Sequence, residues 1–547
     1  MSDPLLSVKN LSVSFQVEGR RIDAVKGISF DVMPGEIVGL VGESGSGKTV
    51  AAMSSLRLIP CPPGQIESGE ILFGERNLLE APIDELREIR GKEISVIFQE
   101  PMTALSPLHP VGRQLAEVVR IHEPDVSREE AWDRAVEWLG KVGIPDPEER
   151  AKSFPFQFSG GMRQRVMIAM ALIMKPKLII ADEPTTALDV TLQAQIFDLI
   201  LAMKADDTSI LFITHDMGVV WELADRVLVM NKGEIVERGD VESLFSNPQE
   251  TYTKELLSAV PRLTDEPIKS GFVPEGKEPI VEVRDLKTWF PVKRGVFART
   301  VDWVKAVDGV SMEIFPGECL GLVGESGSGK TTLGRSILGL ESSRAGEIVF
   351  EGTDIRGLDY HAMRPMRKEL QMIFQDPYSS LNPRLTIQEI LTEGLVEHGQ
   401  LEGSRKDVAA HWLEEVGLSP DMVNRYPHEF SGGQRQRICV ARAVAMKPKF
   451  VVCDEAVSAL DVTIQAQVID LLMDLRDRFG LSYLFISHDL SVVKRICDRT
   501  IVMKEGKVVE AGSTRDLVEN PKSDYTRSLI AAVPIPGDFA KRARNHS

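Results

Sequence analysis

Residues 42–49 read GESGSGKT, and residues 324–331 repeat the same eight letters. Both fit G-x-x-x-x-G-K-[ST], a spacing that suits one task. Glycines let successive backbone N–H groups turn inward and cradle phosphate oxygens, and the next helix adds its positive dipole end. Lys48 and Lys330 are placed to reach the outer phosphates as point charges. Thr49 and Thr331 offer hydroxyls to Mg²⁺. The phosphate cradles are therefore Gly42, Ser44, Gly45, Gly47, Lys48 and Thr49, and Gly324, Ser326, Gly327, Gly329, Lys330 and Thr331. A Gly-Ser turn could match once. Two identical matches, each after a strand-like apolar run and before a helix-compatible segment, point to two nucleotide sites.

Two further runs, LIIADE (178–183) and FVVCDE (450–455), end in paired carboxylates. An apolar strand delivering acids at its C-terminal end is the pattern of an α/β ligand crevice. Asp182 and Asp454 are assigned to the Mg²⁺ shell, and Glu183 and Glu455 to polarising the attacking water. Phosphoryl transfer needs positioning and charge neutralisation more than covalent help. His215 and His488 follow the apolar runs LFIT and LFIS and are read as sensors of the γ-phosphate. Gln99 and Gln375 end the runs SVIFQ and QMIFQ. Their amides could contact Mg²⁺ or water and move away cheaply, or they could simply be turn residues before Pro101 and Pro377. Ser159-Gly160-Gly161 and Ser431-Gly432-Gly433 each precede a helix rich in Arg and Ala. Serine can cap such a helix, and the glycine N–H groups form an anion site. One domain needs only one phosphate cradle per nucleotide. The spare element suggests that two halves face head to tail and share each nucleotide. The site of Lys48, Glu183 and His215 would then receive Ser431, Gly432, Gly433 and Gln434, and that of Lys330, Glu455 and His488 would receive Ser159, Gly160, Gly161 and Met162. With Met162 for Gln434 and Ala456 for Pro184, the second site is expected to work, but more slowly.

The elements that must hold these residues are duplicated along the chain. FQEPMTALSP (98–107) answers FQDPYSSLNP (374–383), and FSGGMRQR (158–165) answers FSGGQRQR (430–437). Residues 175–195 likewise answer 447–467, and 211–216 answer 484–489. So long a period means two whole domains, not a solenoid. The domains expected are 1–262 and 280–547, joined by a Pro- and Gly-rich linker at 263–279. Strand-like and helical runs alternate in each, the mark of an α/β fold on a largely parallel sheet. The second half carries an insertion at 291–303, either a solvated hairpin or a contact for a partner or lipid headgroups. The chain has 547 residues, enough for several domains. A net charge of −17 argues against a general nucleic-acid surface. Its five cysteines form no C-x-x-C pair, so neither zinc nor a disulfide framework is expected. The N-terminal residues show no signal peptide, and no apolar run approaches the length of a membrane span.

In this order the motifs resemble those of a tandem ATP-binding-cassette ATPase. The resemblance covers nearly the whole chain and implies a fold: two P-loop cassettes, each with a RecA-like α/β core, an antiparallel β subdomain and a helical signature subdomain. It also implies that Phe15 and Phe290 stack on adenine, and that Gln99 and Gln375 signal to a coupling helix of a membrane subunit. Asp189 and Asp461 would act in the turns Ala187-Leu188-Asp189 and Ala459-Leu460-Asp461. DVTxQAQ, FQDP-x-x-SLNPR and the closing segments 247–261 and 520–534 are similar to ATPases of peptide and nickel importers. Residues 290–303 are similar to the fused ATPases of Yej-type peptide importers, which also take up microcin C. The resemblance implies an ATP- and Mg²⁺-dependent ATPase on the cytoplasmic face of a bacterial inner membrane. Two transmembrane permease subunits and an extracytoplasmic solute-binding protein would be its partners. Several oligopeptide importer ATPases carry an iron–sulfur cysteine cluster after the YTxxLL segment. Residues 262–279 and 535–547 contain no cysteine, so no iron–sulfur centre is expected.

A soluble tandem ATPase acting in translation is the rival from another class, but it calls for a long charged linker and an NHLD-type turn where this chain has ALDV. A DNA-repair ATPase of the same superfamily calls for zinc cysteines. Within transport, nickel, opines and glutathione remain alternative cargoes, because such an ATPase never touches its cargo.

Overall fold

The computed structural model describes residues 3–17, 19–185, 189–205, 207–265, 276–294, 299–458 and 460–534. Ala187, Leu188, Ala459 and residues 266–275 of the expected linker lie outside the described residues. Two compact units result. One holds most of the chain up to Val260, with Pro534; the other holds most of Pro261–Val533, with Asp189–Thr191.

The first unit opens with β1 (Leu6–Val17) and β2 (Arg20–Val32), followed by β3 (Ile37–Val41), β4 (Gly64–Phe73), β5 (Arg76–Asn77) and β6 (Ile94–Ile97). Then come β7 (Leu178–Asp182), β8 (Ser209–Thr214), β9 (Arg226–Asn231) and β10 (Glu234–Asp240). They form two sheets, a four-stranded antiparallel one ordered β2-β1-β4-β5 and a six-stranded one ordered β10-β9-β3-β8-β7-β6. In the larger sheet β6, β7, β8, β3 and β9 run parallel, and only the edge pair β9–β10 is antiparallel. Every residue of β3, β7 and β8 is buried. That is why these strands read as unbroken apolar runs: helices or a second sheet cover both faces of a parallel sheet.

Leu40, Ile180 and Leu211 pack towards the antiparallel sheet and the helix Lys48–Ser54. Ile179, Ala181 and Phe212 on the other face pack towards the helices Val111–His122, Arg128–Lys141 and Gly160–Leu172.

The second unit repeats this plan. It contains β11 (Val281–Arg294), β12 (Arg299–Ile314), β13 (Cys319–Val323), β14 (Ala345–Phe350) and β15 (Thr353–Asp354). After these come β16 (Leu370–Ile373), β17 (Phe450–Asp454), β18 (Ser482–Ile486), β19 (Arg499–Lys504) and β20 (Lys507–Ser513). Its sheets are ordered β12-β11-β14-β15 and β16-β17-β18-β13-β19-β20. The insertion at 291–303 extends the β11–β12 hairpin, with Pro291 opposite Trp303 and Val292 opposite Asp302. The Arg344 guanidinium lies between Trp289 and Trp303, 4.8 and 4.6 Å from their ring centres. Residues 295–298 are outside the description.

Candidate active site

Parallel register brings the chemistry-bearing residues together. Val41 pairs with Thr214, Asp182 with Ile213 and Ala181 with Ile97, so four neighbouring strands end side by side. Beyond those ends come the loop 42–49, Glu183, His215 and Gln99. In the second unit Leu322 and Asp454 pair with Ile486, and Cys453 with Ile373. This gathers 324–331, Glu455, His488 and Gln375 in the same way.

Glycine is required at two points of each loop. Gly42 and Gly47 have φ of 149° and 103°, and a Cβ there would lie 2.1 Å from Met230 O and 2.2 Å from Ala24 O. A Cβ on Gly324 would lie 2.2 Å from Met503 O, and one on Gly329 1.9 Å from Ala306 O. Ser46 and Ser328 bury their hydroxyls without a protein partner. Lys48 Nζ donates to Gly42 O and Glu43 O at 2.7 and 2.8 Å. Lys330 Nζ donates to Gly324 O and Glu325 O at 2.8 and 2.9 Å. Burial lowers the Lys330 pKa, against the pull of Glu455, Asp189 and Asp454. Asp189, in that unit, accepts the Ser326 N–H at 2.9 Å.

Thr49 Oγ1 donates to Asp182 Oδ1 at 2.9 Å, and Thr331 Oγ1 to Asp454 Oδ1 at 2.8 Å. Burial pushes Asp182 up to about 6 despite the threonine hydrogen bond, and raises Asp454. No group of three or more His, Cys, Asp or Glu among the described residues could hold a metal alone. Mg²⁺ bound to a nucleotide takes one or two protein ligands, phosphate oxygens and waters. One hydroxyl beside one carboxylate fits that demand.

Glu183 and Glu455 each adopt a left-handed backbone with φ 45°, which is strained for a residue other than glycine. Glu183 Oε2 accepts from Gln99 Nε2 at 2.8 Å, and Oε1 lies 3.2 Å from His215 Nδ1. Glu455 Oε2 accepts from Gln375 Nε2 at 2.7 Å and lies 3.5 Å from His488 Nδ1. Burial pushes the Glu455 carboxyl up, but His488 and Lys330 together hold it below its ordinary value. Burial pulls His488 down, but Glu455 raises it overall.

Comparison with known proteins fits this geometry. A model described as ABC transporter matches residues 25–186 and 307–458, more than half the chain. The chain belongs to the ABC transporter family. Its two cassettes make it an ATP-binding transport ATPase, and the core, antiparallel β and helical parts of each unit are those of the family. The model "Oligopeptide/dipeptide transporter, C-terminal region" matches residues 236–284 and 509–546. The chain is 52% identical over 535 residues to the peptidoglycan transport ATP-binding protein YejF of Agrobacterium fabrum, covering 97% of each. It is 48% identical over 572 residues to the glutathione import ATP-binding protein GsiA of Salmonella paratyphi A, covering 99% of this chain and 92% of that one. Among solved structures, a dimeric ATP-binding cassette with bound ADP and Pi is 27% identical, with a TM-score of 0.38. It covers 43% of this chain and 98% of that one.

In this ABC transporter ATPase the signature serines cap their helices. Ser159 Oγ accepts from Met162 N at 3.3 Å, and Ser431 Oγ from Gln434 N at 3.4 Å. Gln434 Oε1 also accepts the Ser431 N–H at 3.1 Å, completing a capping box that Met162 cannot make. A Cβ on Gly432 or Gly160 would meet nothing within 4 Å, whereas one on Gly433 would meet Ile464 Cγ2 at 2.5 Å. Phe15 packs on its own core over Gly64, while Phe290 is 39% exposed. Asp461 precedes the helix Val462–Phe479.

Motif reading missed a link behind the turn at Glu183. Gln164 Nε2, on the first signature helix, donates to Pro184 O directly after Glu183. Gln436 is its counterpart, and Gln436 Nε2 is buried without a partner. The repeated Q in MRQR and QRQR was the available signal. The turn after Glu455 lacks this glutamine tie, and Ser458 Oγ instead donates to Glu455 O at 3.0 Å.

Proposed function

We propose that this ATPase powers the uptake of short peptides or peptide-like solutes through two membrane permease subunits, fed by an extracytoplasmic binding protein. It would act at the cytoplasmic face of a bacterial inner membrane. The oligopeptide/dipeptide transporter region matched after each cassette carries this reading. No helix among the described residues is long and apolar enough to cross a membrane, so a permease is the natural route to one. Met102, Leu108 and Phe156 are exposed beside the first unit's Gln99 turn and signature helix, and Tyr378 and Tyr426 beside the second's. Such side chains suit a protein partner. The names of the relatives, peptidoglycan transport and glutathione import, agree with a peptide-like cargo. The test is purification from native membranes together with peptide uptake in a deletion strain. Co-purifying permeases and lost uptake are expected. Recovery with ribosomes, or unchanged uptake, would overturn the reading.

At each site the loop N–H groups and Lys48 or Lys330 would bind the phosphates. Thr49 with Asp182, and Thr331 with Asp454, would hold Mg²⁺, with Gln99 and Gln375 in reach. The ion would neutralise charge developing on the transferred phosphoryl group. Glu183 and Glu455 would orient and polarise the attacking water, with His215 and His488 fixing each carboxylate and sensing the γ-phosphate.

Domain limits of 1–262 and 280–547 belong to the same proposal, as do adenine stacking on Phe15 and Phe290 and roles for Asp189 and Asp461. So does the sharing of each nucleotide between one half's loop and the other half's signature turn. Glu455→Gln should leave hydrolysis only at the site of Glu183. Adding Ser431→Arg should then abolish it, while Ser159→Arg spares it. The reverse pattern in phosphate-release assays would refute sharing. Because Gln436 lacks the tie that Gln164 makes, Glu183→Gln should leave less activity than Glu455→Gln.

A further inference from the structure

Each phosphate loop is held by a tyrosine from far along the chain. The N–H of Glu43 donates to Tyr252 Oη at 3.1 Å, and the N–H of Glu325 donates to Tyr525 Oη at 3.1 Å. Tyr252 lies in the helix Thr251–Ala259 and Tyr525 in the helix Asp524–Ala532, both inside the regions matched after the cassettes.

These helices are themselves pinned to the edge of the large sheet. Glu237 on β10 accepts the N–H groups of Gln249 and Glu250 at 2.7 and 3.2 Å. Glu510 on β20 accepts those of Lys522 and Ser523 at 2.9 and 3.0 Å. Leu256 and Leu257 bury beside Trp221, and Leu529 buries in the second unit's core. A fixed path therefore runs from sheet edge through helix to loop in both units.

The peptide group between Gly42 and Glu43 shows what the hydroxyl does. Its carbonyl accepts from Lys48 Nζ and its N–H donates to Tyr252, so one rigid plane is gripped from both sides. The same holds for 324–325, between Lys330 and Tyr525. When the lysine turns to a phosphate, the tyrosine is the grip that remains. A plane free to rotate would carry the Gly42 carbonyl out of register with the N–H groups that follow it.

We propose that Tyr252 and Tyr525 are positioning residues for nucleotide binding, and that the two C-terminal segments are thereby working parts of the ATP sites. This rests on the reading of 42–49 and 324–331 as those sites.

The test is Tyr252→Phe and Tyr525→Phe in the full chain, which delete the hydroxyl and keep the ring. Losing one hydrogen bond should raise Kd and KM for MgATP about fivefold. The kcat should stay as in the unaltered protein, and the melting temperature without nucleotide should fall by no more than the few degrees that one lost hydrogen bond costs. In a Lys330→Ala background, Tyr252→Phe should weaken the remaining binding and Tyr525→Phe should not. Phenylalanine variants that bind MgATP as the unaltered protein does would overturn the proposal, whatever their melting temperature. So would a fall in kcat at constant KM. Failure of the unaltered protein itself to bind MgATP would instead sink the nucleotide-site reading.

Discussion

Glu183→Gln combined with Glu455→Gln should reduce ATP hydrolysis by about 10²–10³-fold while ATP still binds. Glutamine keeps the shape of each side chain and can still face Gln99 or Gln375. It cannot carry the negative charge proposed to orient and polarise water. The structure concentrates several devices on these two carboxylates. Each has a left-handed backbone at φ 45°, an amide donor on one oxygen and a histidine beside it. The N–H of each continues the sheet ladder, Glu183 to Ile213 O at 2.9 Å and Glu455 to Ile486 O at 3.0 Å, so the strain is locked in. Single-turnover phosphate release and calorimetric ATP binding separate the two effects. Near-normal turnover in the double variant would remove both residues from the mechanism.

Replacing both loop lysines, Lys48→Ala with Lys330→Ala, should act at the earlier step. Each ammonium is almost wholly buried, and each sits among loop carbonyls at the mouth of the cradle. A charged hydrogen bond contributes about 1.5–3 kcal/mol, and each site has one such lysine, so its loss should weaken MgATP at each site by roughly 10–10²-fold. Arginine is no substitute, because a planar fork does not fit a space shaped for a compact ammonium. Calorimetry with MgATP measures the loss directly. Affinity within a few fold of the unaltered protein would show that the loop backbone alone binds the phosphates.

Much of the candidate site was legible in the sequence because its parts are local. A phosphate loop is eight consecutive residues, and two of its glycines are required by backbone that lies about 2 Å from where a Cβ would be, 2.1 Å at Gly42 and 2.2 Å at Gly47. Apolar runs ending in Asp-Glu or preceding His are strands buried on both faces, so their type shows in composition alone. The duplication shows because both copies keep these local signals. Family membership follows from the same residues.

What adjacency in sequence does not encode needed the fold. Gln99 lies far along the chain from Glu183, and only the parallel pairing of β6 with β7 brings their side chains to 2.8 Å. Gln434 is read from sequence as part of the signature element offered to the other half's site. Its place at the third position of a helix turns Oε1 back to the Ser431 N–H. Nothing near Tyr252 or Tyr525 advertises a phosphate site. Their hydroxyls reach the loops because a glutamate on the last strand holds each C-terminal helix against the sheet edge. The sequence by itself determined which residues can bind phosphate, carry charge or polarise water, because those properties belong to side chains and short backbone turns. Tertiary structure alone decided which of them meet, because a hydrogen bond between distant residues depends on strand order and register, and neither is written in any one segment.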